Sequence, residues 1–292
     1  MKMKFYINAK TRLNMPFKFL GVILFLSAMS LNAQKKNEVN LYINGPVSIL
    51  KYDAVDNSAA LDNGIGFGLE YGRYLSDNWS LRTGLALQQY SGNAKLNQIN
   101  GAYATEDSEG ESFEFRYQFT NYKERQEASY IQIPLLVQYE GRGASRFFAA
   151  GGLKVGILAS SEYNSKADLL TTAGYYEQYD ALLEGPKFAG FGNFGKYNWG
   201  ADDLELKTNV MLNLETGLKL SISEVSSFYV SVYIDYGLVN IFDQTSGNRL
   251  LEYNENTEVS FTGNSILKSA PGEVEDIKTI SFGFKLKYGL GF

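Results

Sequence analysis

The chain contains no histidine and no cysteine. Without imidazole there is no Ser-His or Asp-His catalytic pair and no histidine metal site. Without thiols there is no disulfide, no thiolate chemistry and no lipid-modified cysteine behind a leader. Enzymes that depend on either group are excluded, so a non-enzymatic protein without a cofactor is expected. Long apolar runs are also missing. Past the first 33 residues no segment is apolar for long enough to cross a membrane as a helix. If the remaining chain enters a bilayer, a closed β-barrel is the only way left to satisfy its backbone.

What is present begins with the amino terminus. Lys2, Lys4, Lys10, Arg12 and Lys18 stand there without any acid, before an apolar run from Phe19 to Leu31 and a small residue, Ala33. This is the layout of a secretory signal peptide over residues 1–33, which leaves 34–292 as one exported domain. Removing the leader's five positive charges leaves 22 against 32 acids, a balance of −10. A chain this acidic repels phosphate, so no nucleic-acid partner is expected.

The strongest pattern lies at the other end. Ile280, Phe282, Phe284, Leu286, Tyr288, Leu290 and Phe292 alternate with Ser281, Gly283, Lys285, Lys287, Gly289 and Gly291. A period of two puts the first set on one face of a strand and the second on the other. Seven further segments phase the same way, starting near Leu41, Ile65, Trp79, Ile131, Phe147, Val210 and Phe228. Gly45-Pro46 interrupts the first and predicts a bulge or strand end. Ser76–Asn78, Gly141–Ser145 and Ser223–Ser227 read as tight turns, against long connections over 51–63, 91–128, 160–206 and 241–276.

The fold expected is all-β: an eight-stranded antiparallel transmembrane β-barrel with short periplasmic turns and long extracellular loops. Trp79, Tyr139, Phe147, Phe228 and Phe292 fall near the short turns, as an interfacial aromatic girdle requires. Alternation alone also allows a soluble barrel with its apolar face inward. The leader, the terminal phenylalanine and the glycine-rich polar face favour the membrane form, in contact with outer-membrane lipid.

Three stretches resemble a known family. "SYIQIPLLVQYE" (Ser129–Glu140), "FFAAGGLKVGIL" (Phe147–Leu158) and "FYVSVYIDYGLVNIF" (Phe228–Phe242) are similar to strands of the PorT-like outer-membrane β-barrel family of Bacteroidota. The resemblance implies an eight-stranded outer-membrane barrel and no defined activity. The long third loop departs from the compact family pattern, so a role in type IX secretion does not follow.

Three sets of residues are candidates for function. Glu70, Arg82, Lys154, Glu215, Lys219, Asp235, Lys285 and Lys287 phase to the polar face and form a mixed, slightly basic lumen. Eight strands leave room only for side chains, so a salt-bridge plug is expected, with a narrow pore for small solutes or anions as the alternative. Phe188, Phe191, Phe194, Tyr197 and Trp199 alternate with glycine in the third loop. They can anchor an envelope protein complex or fold back on the barrel. Phe292 is the expected assembly signal for the barrel insertion machinery. The acidic run Glu106, Asp107, Glu109, Glu111 and Glu114 lacks calcium-loop spacing and reads as a solvated tip. "FEFRYQFTNYKER" (Phe113–Arg125) alternates well enough to carry strands three and four beyond the membrane. The expected role is structural or accessory.

Overall fold

Alternating sequence becomes a closed ring of strands in the computed structural model, which describes residues 36–52, 63–242, 249–255, 259–269, 274 and 276–292. The leader expected over 1–33 lies outside them. The strands are β1 (Asn37–Tyr52), β2 (Gly66–Tyr74), β3 (Trp79–Glu106), β4 (Ser112–Glu140), β5 (Ser145–Tyr176), β6 (Ala181–Leu183), β7 (Gly192–Asp203), β8 (Asn209–Ser221), β9 (Ser226–Gly237), β10 (Leu251–Asn254), β11 (Ser260–Gly263) and β12 (Ile277–Gly291). Eight of them, β1, β2, β3, β4, β5, β8, β9 and β12, pair antiparallel around the ring, and the β1–β12 ladder closes it. The turns at 75–78, 141–144 and 222–225 are short, as expected.

Lipid decides which face points out. Leu69, Leu85, Leu135, Leu214, Val232 and Phe284 are all exposed on the outer wall. On β3 this band runs from Trp79 to Leu87, close to the nine to eleven residues a tilted strand needs to cross a bilayer. The Trp79 and Tyr139 rings, register partners, meet edge-on at 5.1 Å on the periplasmic rim. Small residues on the inner wall make space for large ones. A Cβ on Gly72 would lie 2.6 Å from the Arg82 guanidinium, so only glycine lets that side chain lie against β2.

Two expectations about β1 need correction. Gly45-Pro46 does not end the strand: the ladder to β12 runs through it, and only the ladder to β2 stops, at Asn44–Gly66. A period of two from Leu41 and Ile43 puts Ile49 on the outward face, yet Ile49 is buried where β1 also touches Ser91 of β3.

The larger difference concerns the long loops. Most of 91–128 and 160–206 is sheet, because β3, β4 and β5 continue far past the membrane. The β3–β4 ladder extends to Glu106–Ser112 and the β4–β5 ladder to Glu114–Tyr175. At the register row Leu87–Ile131–Ile157 the outward side chains change character. On β4 they run Tyr139, Val137, Leu135, Ile133 and Ile131, and then Ser129, Glu127, Arg125 and Lys123. The inward side chains change the opposite way, from Glu140, Gln138 and Gln132 to Tyr130, Ala128 and Tyr122.

Higher up, Asn121 adopts φ 53° and the inward set shifts parity to Phe119, Tyr117, Phe115 and Phe113. Asparagine tolerates this left-handed conformation better than most side chains. β7 pairs with the outer part of β5, β6 caps its end, and the β10–β11 hairpin packs against the inward aromatics. The result is a second, apolar-cored region standing on the barrel.

Candidate functional site

The lumen brings together all eight charged residues expected there. Lys285 reaches Glu215 at 2.7 Å, and Lys287 bridges Glu215 at 3.0 Å and Glu70 at 3.3 Å. Lys154 pairs with Asp235 at 2.7 Å, and Asn213 donates to the same carboxylate at 2.5 Å. Arg82 lies 3.8 Å from Glu70.

Two acids missed in the candidate set complete the network. Glu140 accepts from Arg82 at 2.9 Å and from Lys219 at 3.2 Å, and Glu38 accepts from Lys219 at 2.8 Å. The Tyr74 hydroxyl sits among all four, 2.5 Å from Glu38, 2.7 Å from Glu140, 2.7 Å from Lys219 and 3.0 Å from Arg82. With Glu38 and Glu140 included, five acids face five bases, so the expectation of a slightly basic, anion-favouring lumen is corrected to a balanced one. Phase placed Glu140 on the polar face, and its location at the rim of β4 was the available signal. Glu38 stands at the edge of the weakest strand pattern.

Each strand of the ring contributes at least one of these charges. Buried charges are tolerable only when paired, and here the pairs reach past neighbouring strands, Lys287 of β12 to Glu70 of β2 and Lys219 of β8 to Glu38 of β1. The next layer outward is neutral. Asn44 donates to Gln88 and Gln88 to Ser48, both at 2.8 Å. Ser281 lies 2.8 Å from both the Ser48 and Tyr233 hydroxyls. Tyr90 and Tyr130, edge-on at 6.0 Å, then begin the aromatic interior. Paired charges and stacked rings can occlude a lumen and hold eight strands in one register. Each of the five lumen carboxylates lies within ion-pair distance of a lysine or arginine.

The third-loop aromatics separate by position. Phe191 is 2% exposed and packs on Phe113 at 5.4 Å and Tyr253 at 6.2 Å. Trp199 lies 5.1 Å from Phe119 and 4.5 Å from Tyr197, and Phe194 lies 5.2 Å from Phe261. These four are core or core-edge residues of the outer region. Phe188 alone is 80% exposed. It shares the tip segment between β5 and β7 with exposed Tyr179, Leu182 and Leu183. The acidic run forms the β3–β4 turn, where Asp107 accepts from the Glu109 and Glu111 amides at 2.9 and 3.0 Å and from the Tyr176 hydroxyl at 2.9 Å.

A buried carboxylate organises the same region. Glu124 accepts from the Tyr122 hydroxyl (2.6 Å), Ser165 (2.9 Å), Gln126 (2.8 Å), Ser265 (2.6 Å) and the Ile266 amide (2.8 Å). It thereby ties the segment after β11 to β4 and β5. Nothing in the sequence singled it out, because its donors come from segments up to 142 positions away. Burial, with the Glu124 charge second, pushes the Tyr122 phenol well up. Burial also pushes Tyr117 up to about 12.

Among solved structures the chain is similar to three outer-membrane proteins. Neisserial surface protein A (NspA) is 9% identical with a TM-score of 0.35, over 88% of this chain and 97% of that one. The outer membrane protein OprG from Pseudomonas aeruginosa is 13% identical with a TM-score of 0.35, over 89% and 97%. Ail, the attachment invasion locus protein of Yersinia pestis, is 11% identical with a TM-score of 0.27, over 88% and 99%. No curated protein matches. Residues 32–243 match the family model described as outer membrane protein beta-barrel domain, a range that holds seven of the eight ring strands and every lumen charge except Lys285 and Lys287 of β12. The chain belongs to that family.

Proposed function

We propose that this outer-membrane barrel is a non-enzymatic, non-conducting anchor that displays its outer β-region to another component of the envelope. The observation that carries this reading is the lumen, where ten buried, paired charges are drawn from all eight strands. A protein that closes its own barrel and then builds a second folded region outside it is organised for presentation. The exposed tip residues Phe188, Tyr179, Leu182 and Leu183 form the contact surface, since clustered aromatic and aliphatic side chains supply interface anchors. Phe191, Phe194, Tyr197 and Trp199 support that surface from within.

The strand motif Tyr130 to Leu136, which crosses the membrane in β4, supports placement among the PorT-like barrels of Bacteroidota. Phe292 is the residue read by the insertion machinery. Its amide donates to the Asn37 carbonyl at 2.9 Å beside the closing ladder. Phe292→Ser lowers the fraction of heat-modifiable barrel recovered from the outer membrane, and an unchanged fraction removes that role.

The test of the whole reading combines capture with conductance. Tagged protein extracted gently from outer membrane is expected to bring down a stoichiometric partner, and Phe188→Ser to lose it while the barrel stays folded. Purified protein in planar bilayers is expected to show no steady current. A steady conductance abolished by altering Lys285 and Lys287 would replace the anchor with a narrow pore.

A further inference from the structure

Cross-strand neighbours of like charge destabilise a sheet. Here Lys95 of β3 is the register partner of Lys123 of β4, and Lys123 is the partner of Lys166 of β5. All three are exposed on the outer face, opposite the inward Ala94, Tyr122 and Ala167. Among the described residues none of the three lies in an ion pair. The neighbouring cation Arg125 is already paired, its Nε 2.7 Å from Glu127.

The acids on this face are engaged or displaced. Asp168 accepts from the Asn121 amide at 3.1 Å, Glu127 belongs to Arg125, and Glu162 is the register partner of Glu127, two rows below the lysines. Asparagines border the row: Asn93 and Asn164 flank Arg125 one row below, and Asn198 of β7 continues the lysine row. Ammonium groups alternating with amides suit a ligand that carries both negative charge and hydroxyls.

Height selects the source of that ligand. The row lies eight residues beyond Leu87 on β3 and Ile131 on β4, which is about 26 Å of strand and roughly 20 Å of vertical rise at a tilt near 40°. A phospholipid headgroup layer is only about 5–7 Å deep on each side of a bilayer. Phosphocholine-level phosphates therefore lie beneath the lysines, whereas the sugars of a larger headgroup reach them. We propose that Lys95, Lys123 and Lys166 bind the anionic saccharide headgroup of an outer-leaflet glycolipid. The bound anion removes the repulsion that the row otherwise imposes on the β3–β4–β5 sheet. This surface faces sideways along the membrane, separate from the tip assigned to a protein partner, and Phe188→Ser leaves it intact.

The full-length protein is reconstituted in phosphatidylcholine vesicles with and without rough lipopolysaccharide that carries a phosphorylated core. Lipopolysaccharide retained per protein after mild extraction is the readout. The triple variant Lys95→Gln, Lys123→Gln, Lys166→Gln is expected to lose retention by about tenfold or more. The corresponding triple arginine variant keeps it, as does a control in which Lys36, Lys187 and Lys196 become glutamine. In phosphatidylcholine alone the glutamine row variant unfolds at the same or a higher temperature than the parent, so a folding defect cannot explain its loss. Unchanged retention in that variant overturns the proposal. Equal, row-dependent retention of lipid A without core sugars also overturns it, by placing the contact at the lipid phosphates. Row-dependent binding of dextran sulfate from solution, without preference for the membrane glycolipid, overturns the glycolipid assignment in favour of a soluble polyanion.

Discussion

Below the row Leu87–Ile131–Ile157 the barrel turns apolar side chains outward and charges inward. Above it, the same three strands turn polar side chains outward and aromatic ones inward. Strand pairing continues from one half into the other, and the ladder crosses the boundary with one bulge at Ser129–Tyr130 of the β4–β5 pair. The surroundings differ. Where lipid lies outside, no hydrophobic gain comes from filling the interior, so the lower half is held by hydrogen bonds and ion pairs across the lumen. Where water lies outside, burying phenylalanine and tyrosine again stabilises the fold, at about 25 cal/mol for each Å² removed from water. One strand thus obeys two opposite solvent rules in sequence.

Substitutions at matched depth in the two halves test this contrast. Glu215→Leu carries the largest expected effect, because it leaves both Lys285 and Lys287 without their nearest acid. Removing one partner of a buried pair costs about 3–5 kcal/mol, and two stranded lysines place this variant at the upper end. The measurement is the temperature at which heat-modified gel mobility is lost. No shift there would mean that the lumen charges do not hold the barrel. Phe119→Ala is the counterpart above the membrane, where its ring meets Trp199, Tyr122 and Tyr117. A cost of about 3–4 kcal/mol is expected. It should appear as protease sensitivity of the outer region, while the barrel's mobility transition stays in place.

A smaller effect follows from Glu124→Ala, which strands donors from Tyr122, Ser165, Ser265 and Ile266. About 2 kcal/mol is expected, read as faster amide exchange over 264–269 than over β4 itself. The mildest perturbation is alkali. Burial raises the Tyr117 phenol to about 12, while an unfolded chain loses that proton near pH 10. The stability it contributes is complete below pH 10 and is lost as pH rises from 10 to 12. Tyr122 shifts the same way. Tyrosinate absorbance should therefore report opening of the outer region before gel mobility reports loss of the barrel. Simultaneous loss would show the two halves to be one cooperative unit.

The lower half was readable from sequence because lipid enforces a strict period of two over each crossing. Leu81, Arg82 and Leu85 could be phased without knowing their neighbours, and the eight lumen charges followed. The upper half was not. Its strands alternate equally well, but Ala159 and Asn121 each shift the phase, so a stretch such as Tyr117–Tyr122 changes faces midway. Phase also says nothing about which distant segments arrive. Phe191 and Tyr253 are 62 positions apart and stack in one core, while Phe188, three residues from Phe191, stays in water. Composition marked the aromatic loop as important without separating the residue that reaches out from those that hold it up.

The ladder between β3 and β4 keeps one register from Trp79–Tyr139 to Glu106–Ser112, and this has a mechanical consequence. Antiparallel hydrogen bonds lie across the strands. A load directed along the strands runs perpendicular to those bonds and does not open the row one bond at a time. Force applied by anything gripping the tip passes down a single stiff sheet into the closed ring beneath, which is itself cross-braced by ion pairs. The outer region and the ring would then share such a load as one continuous sheet.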